Sequence, residues 1–107
     1  MSRRIIYDTQ ARRQIGEIYR YGKEHFGPNT ALRFKEAIRQ AIASLKQTPL
    51  IGSVEQELTT NEHEYRYLLV KPYKIIYSVA DDTIRIHLFW HTSRNPQAMG
   101  SQLSAKI

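Results

Sequence analysis

The hydrophobic residues of the chain repeat with a helical period in its first half and with a strand period in its second half. Up to about residue 45, apolar side chains recur every three or four positions, which is the spacing of one helix face. From residue 65 onward they alternate with polar side chains, as in a strand that buries one face. A polar loop, from Pro49 to about Glu62, separates the two regions. A chain that changes period once in this way is expected to pack helices against a sheet, in one α+β domain.

Two amphipathic helices are predicted in the first half, after a short β-branched strand at residues 3–7. The apolar stripe of the first helix contains Ile15, Ile18, Tyr19, Gly22 and Phe26, and that of the second contains Phe34, Ala37, Ile38, Ala41, Ile42 and Leu45. Asp8 or Thr9 caps the first helix and Asn29 or Thr30 starts the second, with Gly27-Pro28 between them. So short a connection predicts an antiparallel αα-hairpin.

Three strands are predicted in the second half, at residues 65–70, 73–80 and 83–91, with short turns between them. The expected order is therefore β-α-α-β-β-β, an antiparallel sheet with the αα-hairpin packed on one face and the other face open. Residues 1–96 are interpreted as a single domain. Residues 97–107 are interpreted as a C-terminal tail, either a frayed helix or flexible.

Strict alternation along the last two strands assigns each side chain to a face of the sheet. The helix-covered face receives Tyr73, Ile75, Tyr77, Val79, Ile84, Ile86, Leu88 and Trp90. The open face receives Lys74, Ile76, Ser78, Arg85, His87, Phe89 and His91, and Arg94 follows where the chain leaves the sheet. This mixture of cations, imidazoles and apolar groups predicts a surface for a protein partner or a nucleic acid. We assign binding to Arg66, Arg85, His87 and Phe89.

Several classes of protein are excluded by what the sequence lacks. There is no cysteine, so neither a disulfide framework nor a cysteine-based zinc site can form. His87 and His91 lie four positions apart, but on a strand their Cα atoms are roughly 13 Å apart, so we expect no metal site. No cofactor is expected. There is also no RNA-binding signature or glycine-rich phosphate loop, which weakens the case for a nucleic-acid-binding domain. The N-terminus MSRRIIYD lacks an apolar signal region and no long apolar run follows, which favours a cytoplasmic protein without a membrane partner.

The net charge of +6 is distributed unevenly along the chain. Residues 1–47 carry ten Lys/Arg against four acidic residues, whereas residues 48–64 carry four glutamates and no Lys/Arg. A basic chain with one acidic loop is typical of proteins that bind nucleic acid or an acidic protein.

Three segments together resemble the RelE/ParE superfamily of toxins from bacterial type II toxin–antitoxin modules. They are IGEIYRYGKEHFG on the first helix, EYRYLLVKPYKIIYSVADDTIRI on the strands, and HTSRNP after the last strand. The resemblance covers about residues 3–96. It implies a small basic toxin with a twisted antiparallel sheet backed by two helices. It also implies a cognate antitoxin, held in a hetero-oligomer, whose C-terminal segment enters the groove beside the helices and meets an exposed sheet edge.

The superfamily has two branches with different targets. RelE-type members cleave mRNA on the ribosome, and the resemblance would then make Lys74, Arg94 and His91 catalytic. ParE-type members inhibit DNA gyrase without hydrolytic chemistry. The tail NPQAMGSQLSAKI has no Tyr, His or further Arg, unlike many RelE-type members, and the first helix is more similar to the ParE branch. We therefore expect a growth-inhibiting, plasmid-stabilisation toxin acting on gyrase. The alternatives are a ribosome-dependent mRNA endonuclease and a non-toxic basic nucleic-acid-binding domain.

Overall fold

The structure, a computed structural model, describes residues 3–103; the expectations for residues 1–2 and 104–107 lie outside this range. Its elements are β1 (Arg4–Tyr7), α1 (Thr9–Phe26), α2 (Pro28–Ser44), β2 (Ser53–Val54), β3 (Arg66–Val70), β4 (Tyr73–Val79), β5 (Thr83–His91) and a C-terminal 3₁₀ helix (Pro96–Gln102). The α+β class and the predicted order are confirmed, with β2 as an additional short strand. None of the helices in the described part of the chain is long and apolar enough to cross a membrane.

The five strands form one sheet in the order β1-β5-β4-β3-β2. The predicted antiparallel sheet is wrong at one edge, because β1 pairs with β5 in parallel, with Arg4 opposite Thr83 and Tyr7 opposite Ile86. The remaining neighbours are antiparallel. Tight turns set the relative directions of β3, β4 and β5 only. Since β1 is joined to the rest through the helical hairpin, no turn determines its direction, and the sheet is mixed.

The two helices meet at Gly27, which ends α1 and precedes α2. Gly27 has φ of 91°, a conformation that side-chain-bearing residues rarely adopt. Pro28 then occupies the first turn of α2, where a missing N–H costs nothing, so α2 begins there and not at Asn29 or Thr30. At the start of α1, Asp8 stands at the N-cap position, but its side chain makes no capping hydrogen bond. The Asp8 carboxylate pairs with Arg85 instead.

The helices cover one face of the sheet and form the main core with it. Ala11 of α1 and Ile38 and Ile42 of α2 are buried against Ile75 and Tyr77 of β4. Ile84, Ile86 and Phe89 of β5 belong to the same cluster. Ile15 and Ile18 of α1 and Phe34 and Ala41 of α2 pack against the same cluster, so this part of each predicted stripe faces the sheet as expected. Phe26 and Ala37, which the stripes also included, are exposed.

A β-bulge in β5 reverses the alternation that was used to assign faces. Ile76 pairs with Leu88 and Tyr77 with Ile86, so His87 is an extra residue without a partner on β4. Side chains of paired residues point to the same face. Beyond His87 every side chain of β5 therefore lies on the face opposite to the one that strict alternation predicts.

The predicted faces of four residues in β5 are consequently wrong. Leu88 and Trp90 lie on the second face, in a cluster with Ile76. Phe89 packs in the main core, and His91, which pairs with Tyr73, lies on the helix side as well.

The second face of the sheet is covered, contrary to the prediction of an open face. Leu58 and Tyr65, from the segment between β2 and β3, pack on it together with Met99 of the 3₁₀ helix. Leu103 also packs against this cluster, and the Gln10 side chain of α1 donates a hydrogen bond to the Gln102 carbonyl. The chain from Pro96 to Leu103 thus crosses beneath the sheet as a strap.

Candidate functional site

An apolar groove lies between α1, α2 and the turn that joins β3 to β4. Its volume is about 450 Å³, within the range of ligand-binding clefts. Ile15, Ile18 and Gly22 of α1, Ala31 and Phe34 of α2, and Tyr73 of β4 line its walls. The helical stripes extend beyond the area that the sheet covers. The groove is the remainder of that apolar surface.

Exposed aromatic side chains and cations form the rim of the groove. Phe26 is 65% exposed and Tyr21 is 55% exposed, and His25 stacks on the Tyr21 ring with centroids 3.9 Å apart. Lys35 and Lys71 also line the groove, and among the described residues that line it there is no Asp or Glu. Large aromatic groups exposed beside cations are typical of a surface that binds a partner.

A second cleft adjoins the groove where β5 ends. His91 and Arg94 line it together with Gln14, Glu17 and Tyr21. The His91 ring packs edge-on against Tyr73, and its Nδ1 accepts a hydrogen bond from the Ser93 N–H at 3.1 Å. The Gln14 side chain accepts a hydrogen bond from the Phe89 N–H at 2.7 Å. This bond satisfies a backbone donor of β5 beyond the point where its pairing with β1 ends.

The three residues predicted to be catalytic are not gathered at one point. Lys74 lies on the second face, where its Nζ is 2.9 Å from Glu55 Oε1 and 4.3 Å from the centroid of the Tyr67 ring. Glu55 is only 3% exposed, so the positive charge of Lys74 is neutralised by a buried partner. His91 lies on the opposite face of the sheet. Arg94 is exposed, with its guanidinium 4.0 Å from the centroid of the Trp90 ring.

The four residues predicted to bind a partner serve mainly internal contacts. Arg66 donates to the carbonyls of Leu50 and Gly52 and pairs with Glu64, which holds the chain beside β2. Arg85 pairs with Asp8 at 2.7 Å. Phe89 is 3% exposed, and His87 is fully buried. Their binding roles stay predictions.

His87 belongs to a buried polar cluster that the sequence did not indicate. Its Nε2 lies 2.8 Å from Ser78 Oγ of β4, and its Nδ1 lies 3.3 Å from Asp8 Oδ2 at the β1–α1 junction. Burial is the main reason why the pKa of His87 is lowered, and Arg85 acts in the same direction, while the Asp8 carboxylate opposes them.

The comparisons with known proteins agree with this architecture. The family model described as "ParE toxin of type II toxin-antitoxin system, parDE" matches residues 5–96. The chain belongs to the ParE toxin family. A chain of the solved structure titled "Chromosomal ParDE TA system from P. aeruginosa" is similar in fold, with a TM-score of 0.68 at 18% identity. The match covers 84% of this chain and 96% of that one. The sequence has no significant match among curated proteins.

This member of the ParE family is thus a toxin of a type II toxin–antitoxin system. Within residues 3–103 there is no cluster of three or more His, Asp or Glu side chains that could hold a metal ion. The groove beside the helices, expected from the resemblance, is present, but most of its rim was missed. Phe26 was assigned to the apolar stripe of the first helix, and neither Tyr21 nor Lys35 was assigned to the groove. The available signal was the position of Phe26 at the helix end, beyond the reach of the sheet.

Proposed function

We propose that this ParE-family toxin inhibits DNA gyrase and is neutralised by a cognate antitoxin that occupies the groove. The observation that carries the proposal is the groove itself: an apolar cleft with exposed aromatic residues and cations on its rim. It lies on the helix side of the sheet, whereas Lys74, which the ribonuclease hypothesis requires, lies on the second face.

An amphipathic helix with an acidic polar face fits this groove. Apolar side chains spaced along one helix face fill a hydrophobic groove of this kind. Lys35 and Lys71 favour acidic residues in the occupant, and the net charge of +6 speeds the approach of an acidic partner. A cognate antitoxin segment has to supply both properties.

Inhibition without hydrolysis is supported by the state of the basic side chains. RNA cleavage needs cations that stabilise the charged transition state and a base that activates the ribose hydroxyl. Lys74 is paired with Glu55 and Arg85 with Asp8, so neither presents a free charge. His91 and Lys74 lie on opposite faces of the sheet.

The groove is tested by placing a negative charge in it. Phe26→Glu changes an exposed rim residue, and Leu32→Glu, at a residue 52% exposed on α2 and outside the lining, is the matched control. We expect Phe26→Glu to weaken binding of the cognate antitoxin about tenfold or more, a loss of about 1.4 kcal/mol. Leu32→Glu should bind like the wild type. Equal affinity for all three proteins in titration calorimetry would remove the groove from the proposal.

Cleavage of mRNA on the ribosome is the alternative, and one observation favours it. His91 and Arg94 line one cleft, so a base and a cation are neighbours there. If the alternative is correct, the purified chain cuts mRNA on translating ribosomes, and Lys74→Ala and Arg94→Ala each sharply lower the cutting rate. Intact mRNA at all toxin concentrations would exclude it.

A further inference from the structure

A row of positive charges runs along the exposed side of α1. Arg12, Arg20 and Lys23 follow at offsets of 0, 8 and 11 residues, which places them on one face of the helix, and all three are exposed. Arg13, also exposed, lies seven residues before Arg20 and joins the same surface. The basic row, defined as these four residues, spans roughly 16 Å along the helix axis.

The basic row carries charge that no carboxylate of residues 3–103 neutralises. The lysines and arginines that form ion pairs in this range all lie outside the row. Glu17 and Glu24, the acidic residues of α1, form a separate row, and Glu17 lines the second cleft. The first turn of α1 has no acidic residue, so the positive end of the helix dipole adds to the potential near Arg12. Like charges three residues apart, such as Arg20 and Lys23, destabilise a helix, so folding does not explain the row.

Two tyrosine rings beside the basic row are each covered by a cation. The Arg12 guanidinium carbon is 5.5 Å from the centroid of the Tyr7 ring, and Lys35 Nζ of α2 is 5.0 Å from that of the Tyr19 ring. Such contacts hold a cation in place without neutralising it. They also cover the ring faces that adjoin the row, so the row offers a base no stacking surface.

Gly16 stands in the middle of the basic row, four residues after Arg12 and four before Arg20. Glycine weakens the interior of a helix, and a Cβ at this position would meet nothing within 4 Å, so internal packing does not require it. Without a side chain, the helix surface between the two arginines stays low. A partner's backbone can therefore approach the helix closely there.

We propose that the basic row of α1 binds the phosphate backbone of duplex DNA without reading its sequence. Duplex DNA carries one negative charge per roughly 1.7 Å of its axis, so a row of roughly 16 Å faces about ten phosphate charges. Gly16 lets that backbone lie against α1 between the arginines. The proposal depends neither on the gyrase target nor on the antitoxin groove.

The composition of the row favours duplex DNA over other polyanions. Contacts to phosphate need only cations and other hydrogen-bond donors, whereas a protein interface has an apolar centre. The row contains no apolar side chain, unlike the groove with its exposed aromatic rim. Single-stranded nucleic acid is held by stacking on aromatic side chains, which the covered tyrosine rings do not provide.

Titration of the purified protein into a fluorescently labelled duplex of about 20 base pairs tests the row, with anisotropy as the readout. Four phosphate contacts predict that the logarithm of the affinity falls with the logarithm of salt concentration with a slope of about −3.6. Arg20→Gln should lower the steepness of that slope by about one and the affinity at about 0.1 M salt by about eightfold. No binding of the duplex at low salt would overturn the proposal.

Arg33→Gln is the matched control, because it removes the same charge from another surface. Arg33 is exposed on α2 and lies roughly 160° around that helix from Lys35, which contacts α1. This variant should bind DNA like the wild type. Equal losses in Arg20→Gln and Arg33→Gln would show a response to net charge alone and would overturn the role of the row.

Gly16→Leu tests the close approach without changing any charge. The leucine side chain cannot bind phosphate and would stand between Arg12 and Arg20, so we expect the salt dependence to lose a slope of about one or more. Ala37→Leu adds the same side chain at an exposed position of α2 and should leave DNA binding unchanged. Melting curves by circular dichroism confirm that both variants fold. DNA binding by Gly16→Leu equal to that of the wild type would overturn the proposal.

Two further titrations identify the occupant of the row. The duplex should bind more tightly than a single strand of the same length. Arg20→Gln should leave the affinity for the cognate antitoxin unchanged, because the row lies outside the lining of the groove. Tighter binding of the single strand, or an Arg20→Gln variant that loses antitoxin but not DNA, would assign the row to another partner and overturn the proposal. A failure of gyrase inhibition would leave these results unaffected, because the DNA titration contains no gyrase.

Discussion

Replacement of Met99 by alanine tests whether the C-terminal strap is part of the folded domain. Met99 belongs to the strap and is completely buried against the second face of the sheet, beside Leu88 and Trp90. Truncation of a buried methionine costs about 2–5 kcal/mol, because transfer free energy is lost and a cavity remains. For a domain of this size each kcal/mol lowers the melting temperature by about 4–8 °C, so we expect Met99→Ala to melt at least about 8 °C lower than wild type.

Thermal unfolding followed by circular dichroism measures this effect, with Gln97→Ala as the control. Gln97 lies on the same 3₁₀ helix but is exposed, and its replacement should change stability by no more than about 0.5 kcal/mol. A Met99→Ala protein as stable as Gln97→Ala would show that the strap does not cover the sheet. The result also affects the interpretation of truncations, because deletion after Pro96 removes this packing. Lost gyrase inhibition would then report a damaged fold rather than a missing contact.

Other residues give equally specific expectations. Tyr77→Phe should cost about 1–3 kcal/mol in urea unfolding, because the buried Tyr77 hydroxyl accepts the Gly52 N–H at 3.0 Å and donates to the Pro49 carbonyl at 2.8 Å. The pKa of Tyr77 is raised by burial, so its contribution to stability is complete below pH 10 and declines above it; a wild-type pH profile identical to that of Tyr77→Phe would refute this. Gly52→Ala should destabilise the protein, since a Cβ would lie 2.6 Å from both the Tyr67 carbonyl and the Tyr77 hydroxyl. Gly16→Ala should stabilise α1 by about 0.5–1 kcal/mol, because a Cβ there meets nothing within 4 Å; the reverse order of the two melting temperatures would contradict both expectations.

The two helices, the three-stranded meander and the order of the elements along the chain could be predicted because they follow from local rules. The apolar stripes run along the helices, Gly27-Pro28 stands where one helix must end and the next begin, and both turns of the meander are short. Each of these signals depends on residues that are neighbours in the chain.

The features that could not be predicted depend on pairing between distant segments. Ile84, Ile86, Leu88 and Trp90 alternate without interruption, so nothing local marks His87 as a bulge. The parallel direction of β1 is likewise set by packing. Met99 and Leu103 lie four positions apart in a mixed tail, but their partners Leu88 and Trp90 lie on the second face only because of the bulge.

A gyrase supercoiling assay with an antitoxin titration tests whether this toxin inhibits gyrase and is neutralised by its partner. Purified toxin is added to gyrase, ATP and relaxed plasmid, followed by increasing amounts of the cognate antitoxin. We predict that the toxin suppresses supercoiling and that its partner restores activity, while Phe26→Glu inhibits equally well but resists rescue. Unaffected supercoiling, together with cleavage of mRNA on translating ribosomes, would exclude gyrase inhibition as the function.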